Sequence, residues 1–117
     1  MKLFAIALAV LLAMPAVAQQ PRKIGPDLYP PKLIQRANPA YTEQARDAKL
    51  EGTVTLTLTI DAEGAPKDVS VVKPLGLGLD ENAMEAVMSW KFEPARQKKD
   101  NAPVAVKANV EVNFRLQ

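Results

Sequence analysis

The sequence contains no cysteine and no histidine among its 117 residues. The missing cysteines exclude disulfide bonds and thiol nucleophiles, and together with the missing histidines they exclude zinc sites built from thiolate or imidazole ligands. Triads that depend on histidine are excluded too, and the two serines, Ser70 and Ser89, have no imidazole to activate them. We therefore expect no enzyme, no catalytic residue, no cofactor and no metal site.

A strong excess of one charge sign is also missing. The 15 basic and 13 acidic residues leave a formal net charge of +2. This charge is too small, and too evenly mixed along the chain, to predict a nucleic-acid partner. The length suits one domain with a modest core.

Residues 1–18 have the three-part layout of a secretory signal peptide. Lys2 precedes an apolar run, and small residues at Ala16 and Ala18 form an A-x-A cleavage site. The run is shorter than the roughly 20 apolar residues that cross a bilayer. We expect cleavage after Ala18 and export from the cytoplasm, with an uncleaved membrane anchor as the alternative.

Residues 19–37 contain four prolines and predict a flexible, poorly packed lead-in. Within it, residues 32–36 favour a brief edge strand. A first helix is predicted over residues 38–50, capped by Thr42 or Asn38 and closed by Gly52 in the left-handed position after its end.

A second helix is predicted to begin at Asp80, whose carboxylate would accept hydrogen bonds from the free N–H groups of the first turn. Ala83, Val87 and Trp90 recur at helical spacing and form an apolar stripe. Pro94 is expected to end the helix, because it has no N–H and its ring clashes with the preceding turn.

The strand signals lie on either side of this helix. Residues 53–60 alternate strictly between threonine and aliphatic side chains, and residues 67–73 return after a turn at DAEGAP. Residues 95–103 read as a charged loop, and residues 104–116 as a long last strand. The predicted fold is a two-layer α+β domain over residues 38–117. It has a three-stranded antiparallel sheet and two helices on one face, in the order helix, strand, strand, helix, strand.

Several segments of the sequence resemble a known protein family. PAYTEQAR, IDAEG, the LD that opens the second helix, WKFEPA and the final PV and NF are similar to the C-terminal domain of TonB. The resemblance covers about residues 38–116. It implies a fold like that of the TolA and TonB C-terminal domains, with the strand at residues 53–60 in the centre of the sheet.

The resemblance also implies a binding activity in the periplasm. A TonB domain of this kind binds the TonB box, a short extended peptide of an outer-membrane receptor, by strand addition, which supports transport across that membrane. The implied site is the main chain of the last strand: Val110, Glu111, Val112, Asn113, Phe114 and Arg115. An inner-membrane motor is an expected partner only if residues 1–18 remain as an anchor facing the periplasm. The alternative is a self-associating structural module of the cell envelope, a homodimer paired through its edge strands.

Other features have simpler interpretations. Trp90 and Phe92 suggest an aromatic binding surface, but a buried Trp90 with its N–H satisfied is favoured. The glycines of residues 75–79 lack the Gly-Lys-Ser/Thr of a phosphate loop. Asp61 with Glu63 is favoured as a hairpin turn over a calcium site.

Two charged groups are interpreted in the same way. Asp80 and Glu81 fit a helix start better than a catalytic carboxylate pair. Five basic residues are favoured as solvated over a surface for anionic lipid: Arg22, Lys23, Arg96, Lys98 and Lys99.

Overall fold

The computed structural model describes residues 20–117, so the predicted signal peptide at residues 1–18 lies outside the described residues. Within this range the strands, in chain order, are β1 (Arg22–Lys23), β2 (Leu28–Tyr29), β3 (Lys32–Gln35), β4 (Gly52–Ile60), β5 (Pro66–Lys73), β6 (Lys91–Glu93), β7 (Ala95–Gln97), β8 (Pro103–Val104) and β9 (Val106–Phe114). The helices are α1 (Glu43–Asp47), between β3 and β4, and α2 (Leu79–Met88), between β5 and β6. The α+β class and the two helices are confirmed.

The main sheet has the strand order β1-β9-β4-β5. The antiparallel β4–β9 ladder runs without interruption from Gly52 opposite Phe114 to Ile60 opposite Val106. The central place of β4 is confirmed. The count of three strands is wrong, because β1 adds in parallel outside β9, with Arg22 opposite Val106.

Two smaller sheets lie beside the main one in the described chain, with the orders β2-β7-β8 and β3-β6. They show that the charged loop predicted for residues 95–103 begins and ends in paired strands. Three strands also precede α1, so the predicted element order is wrong, whereas β3 confirms the brief edge strand predicted at residues 32–36. The strands that were not predicted there, β1, β2, β7 and β8, have two or three residues each, which is too short for an alternating pattern to reveal them.

Helix α1 is much shorter than the predicted residues 38–50. Thr42 is the N-cap, and its hydroxyl accepts from the N–H of Ala45 at 3.1 Å. Pro39 disfavours helical backbone in the residue before it, so the predicted first turn does not form. At the other end Lys49, not Gly52, takes the left-handed conformation, with φ 55°, and Gly52 begins β4.

Helix α2 ends at Met88, before Trp90 and well before Pro94, and residues 91–93 form β6. Its N-cap is Gly78, which has φ 82° and no side-chain cap. The capping role predicted for Asp80 is wrong. Because Asp80 lies inside the first turn, its carboxylate reaches back and accepts from the N–H groups of Leu75 at 2.7 Å and Gly76 at 3.0 Å.

The core lies between the two helices and one face of the main sheet. Its most deeply buried aliphatic and aromatic side chains are Val54, Leu56, Leu58, Ile60, Leu79, Val87, Val106 and Phe114. All the strand members occupy the alternate positions that the pattern predicted to face inward. Each large side chain removed from water stabilises the fold by about 1.5–3 kcal/mol, so this face holds the short helices in place.

Candidate binding edge of the main sheet

Strand β9 is the last long strand on one side of the main sheet, and β5 is the edge strand on the other side. On its inner side it pairs with β4 along its whole length. On its outer side β1 covers only Val106 and Lys107. In the part of the chain that the structure describes, no strand pairs with the outer side of β9 beyond Lys107, so the edge from Ala108 to Phe114 is open.

The direction of the main-chain groups along β9 follows from one hydrogen bond near its start. The N–H of Arg22 donates to the C=O of Ala105 at 3.0 Å, so the C=O of Ala105 faces away from β4. These groups reverse direction at each successive residue of a strand. The N–H and C=O groups of Asn109, Glu111 and Asn113 therefore face outward.

The residues of the predicted site divide between the two sides of β9. Three direct their main-chain groups toward β4 and their side chains toward the core: Val110, Val112 and Phe114. Two direct their main-chain groups outward, Glu111 and Asn113. Arg115 follows the last residue of β9, and Asn109, which the sequence prediction did not include, belongs to the outward set.

The three outward residues of β9 have polar side chains. Asn109, Glu111 and Asn113 are exposed on the face opposite the helices. The Asn113 side chain is occupied by the hydroxyl of Thr53, which donates to its Oδ1 at 2.6 Å. On this face of the sheet, a partner laid along the edge would therefore contact mainly the backbone.

An apolar groove of about 380 Å³ lies next to the open edge, between the lead-in and β9. We call it the lead-in groove. Its lining residues are Ile24, Pro30, Pro31, Leu33, Arg36, Ile60, Trp90, Phe92, Ala108, Asn109, Val110 and Glu111. No sequence motif indicated this groove, although the apolar pair at residues 33–34 was a signal for the strand that forms one wall.

Trp90 stands behind this groove as a buried side chain. It is 4% exposed, and its Nε1–H donates to the C=O of Ala37 at 2.8 Å. The guanidinium of Arg36 lies 5.1 Å from the ring centroid, a distance at which a cation is attracted to the ring face. The predicted buried Trp90 is confirmed.

The turn at residues 61–65 is confirmed as a hairpin turn. The Asp61 carboxylate accepts from the N–H groups of Glu63 at 3.0 Å and Ala65 at 2.8 Å, and it pairs with Lys67 at 3.1 Å. Partial burial acts to raise the pKa of Asp61, but these hydrogen bonds and the lysine hold it below its ordinary value. Gly64, within this turn, has a positive φ of 89°.

Of the five basic residues, Arg22, Lys98 and Lys99 line one pocket together with Asp27 and Gln97. Arg22 pairs with Asp27 at 2.7 Å, and Lys98 lies 5.4 Å from the ring centroid of Tyr29. Among residues 20–117 no three acidic side chains converge as metal ligands would.

The same residues include no helix long and apolar enough to span a membrane.

The fold and the open edge define a class of protein, a two-layer α+β domain whose sheet has an open edge. The particular family follows from comparison with known proteins. The family described as the C-terminal region of the Gram-negative bacterial TonB protein matches residues 37–116. The chain therefore belongs to the TonB C-terminal domain family.

Individual relatives agree with this membership. The Vibrio cholerae Protein TonB is 33% identical over 89 residues, which are 74% of this chain and 36% of that protein. The Pseudomonas aeruginosa Protein tonB2 is 35% identical over 78 residues, 64% of this chain and 29% of that protein. The chain thus spans about a third of the length of these curated relatives.

A solved structure is similar to the fold. The solution NMR structure of the Pseudomonas aeruginosa TonB C-terminal domain aligns with a TM-score of 0.59 at 24% identity. The alignment covers 80% of this chain and 90% of that one. At this identity the likeness shows the shared fold alone.

Proposed function

We propose that this chain is a periplasmic protein that binds an extended peptide, the TonB box of an outer-membrane receptor, and so supports TonB-dependent transport. The peptide adds as a strand to the outer side of β9, at residues 109–113. The observation that carries the proposal is the open ladder at Asn109, Glu111 and Asn113, because unpaired main-chain groups in a row are a template for another strand.

The energetics of this edge predict weak binding. Each hydrogen bond formed with the peptide contributes about 0.5–1.5 kcal/mol net, and ordering the peptide and losing its free motion oppose association. With three outward residues on β9, we expect a dissociation constant between micromolar and millimolar. Titrations must therefore extend to millimolar peptide.

The first test is an NMR titration of the ¹⁵N-labelled protein with synthetic TonB-box peptides. We expect amide shifts concentrated at residues 109–113. The outward N–H groups of Asn109, Glu111 and Asn113 should exchange more slowly with solvent once peptide is bound. No shift at millimolar peptide, or shifts confined to another surface, would reject the proposal.

A matched series of peptides tests strand addition itself. N-methylation removes one N–H of the peptide at a time. Every second N–H of an added strand faces β9, so methylation should abolish binding at alternate positions and leave it within threefold of the parent at the others. An effect at all positions or at none would show that the peptide does not bind as a strand.

Homodimer formation by pairing of two β9 edges is a second candidate function, favoured by the same open ladder. It would make the chain a structural module of the envelope with no role in energy transduction. Sedimentation equilibrium separates the two: a stable dimer that protects the N–H groups of residues 109–113 without peptide supports it, and a monomer rejects it.

Contact with an inner-membrane motor belongs to the proposal only if residues 1–18 stay attached as an anchor. Mass spectrometry of the protein recovered from the cell envelope measures this directly. Cleavage after Ala18 predicts a mature chain that begins at Gln19, which would remove the motor contact from the proposal.

A further inference from the structure

We propose that the lead-in sets the register of the added strand and receives one of its apolar side chains in the lead-in groove. This inference rests on the proposed function, because it takes strand addition at β9 as given. It goes further because it specifies one position of the peptide and the kind of side chain expected there.

The register follows from where β1 ends. A uniform ladder accepts a strand shifted by two residues equally well, because the same groups recur at every second position. In this protein β1 already occupies the outer side of Val106 and Lys107. Asn109 is therefore the first outward residue that a visiting strand can use, and β1 blocks a slip toward the start of β9.

The direction of the visiting side chains follows from the pleat. Residues directly opposite each other in paired strands point to the same face of the sheet. Asn109 and Glu111 point to solvent, whereas Val110 is half-buried against the core. The visiting residue opposite Val110 therefore points toward the helix side of the sheet, where the lead-in groove lies.

The chemistry of the occupant follows from the groove walls. Ile24 is 42% exposed and Leu33 is 37% exposed, so both present apolar surface that a ligand would cover. Each Å² of apolar surface removed from water contributes roughly 25 cal/mol. The lining has two charged residues: Arg36 lies over the ring of Trp90, and Glu111 is exposed on the opposite face of the sheet. An aliphatic or aromatic side chain fits these walls, and a carboxylate beside Leu33 and Ile24 would be desolvated.

The experiment uses the full chain and the TonB-box peptide of the titration above, with leucine and then aspartate placed at each peptide position in turn. One position should prefer leucine over aspartate by at least tenfold, and its two neighbours should differ by less than threefold. A flat profile, with peptide still bound at residues 109–113, overturns the groove assignment and leaves the proposed function standing.

A double-mutant cycle then assigns that position to the groove. Leu33→Ala should weaken the leucine peptide about fivefold and leave the aspartate peptide unchanged. Ile34→Ala is the matched control, because Ile34 is the next residue of β3, is 63% exposed and does not line the groove. Ile24→Ala, on the same wall as Leu33, should repeat the selective loss. Equal losses for both peptides overturn the inference.

Two variants of Arg22 test the register stop, by which we mean that β1 blocks a slip of the added strand toward the start of β9. Arg22→Pro removes the N–H that bonds Ala105 and loosens β1, while Arg22→Ala keeps that N–H. With Arg22→Pro we expect leucine to be preferred at two peptide positions two residues apart, and with Arg22→Ala at one. One preferred position in both variants overturns the register stop. No shift at β9 with any peptide overturns both this inference and the proposed function.

Discussion

A proline placed in β9 separates the two sides of the strand. The N–H of Glu111 faces outward, so Glu111→Pro removes a donor that the added peptide uses and leaves the β4–β9 ladder intact. The N–H of Val110, opposite Leu56, faces β4, so Val110→Pro breaks that ladder. Edge strands accept proline where its missing N–H would face solvent.

The structure sets the size of both effects. Glu111→Pro should lower the free energy of unfolding by less than about 1 kcal/mol, since no described hydrogen bond of the fold is lost. Val110→Pro loses a ladder bond and leaves its acceptor unsatisfied, a loss of about 2–4 kcal/mol. For binding, Glu111→Pro loses one hydrogen bond and places a ring where the peptide must approach, so affinity should fall at least tenfold.

The assays are urea unfolding followed by circular dichroism and the peptide titration by NMR. Glu111→Ala is the control, because it removes the same side chain and keeps the N–H; it should bind peptide within twofold of the parent. If Glu111→Pro binds as well as Glu111→Ala, β9 is not the binding edge. If it unfolds as easily as Val110→Pro, the assignment of outward groups is incorrect.

Three further predictions concern the fold that supports the edge. Gly64→Ala places a Cβ 1.9 Å from the C=O oxygen of Phe92, at φ 89°, and should lower the free energy of unfolding by about 2–4 kcal/mol in urea denaturation. Trp90→Phe loses the hydrogen bond to Ala37 and part of the ring, which should lower the free energy of unfolding by about 2 kcal/mol. Unfolding of this variant must be followed by circular dichroism, because Trp90 is the single tryptophan and the variant has no tryptophan fluorescence. Asp61→Asn should be less stable than the parent by about 1 kcal/mol at pH 7. Because the pKa of Asp61 is lowered in the fold, that difference is fully present above the ordinary carboxyl pKa and should vanish as the pH falls through the lowered one.

Each of these three predictions has an outcome that would contradict it. Gly76→Ala also has positive φ, 93°, but nothing within 4 Å of the new Cβ, so its loss should stay near 1–2 kcal/mol; equal losses at Gly64 and Gly76 would mean that the contact with Phe92 is unimportant. An unchanged midpoint for Trp90→Phe would show that its N–H bond adds no stability. A difference for Asp61→Asn that persists at low pH would assign its effect to packing rather than to charge.

The long elements were predictable because their signals are local. Alternation marks β4 and β9, whose buried positions are the expected ones, and the α2 stripe places Ala83 and Val87 in the core. The family motifs added the central place of β4. The errors lie at the ends of elements and in short strands, as at Asp80 and in the lead-in, where a distant partner decides the conformation.

The sequence by itself determined which faces are buried, because periods of 2 and 3.6 are written in neighbouring residues, and its resemblance to the family implied the order of the strands. Only the tertiary structure decided that β1 covers the start of that edge and that Leu33 and Ile24 stand beside Val110. Strand β1 pairs with residues of β9 that are more than 80 positions away in the sequence. Such a pairing produces no periodic pattern of side chains, because main-chain hydrogen bonds do not depend on side-chain identity.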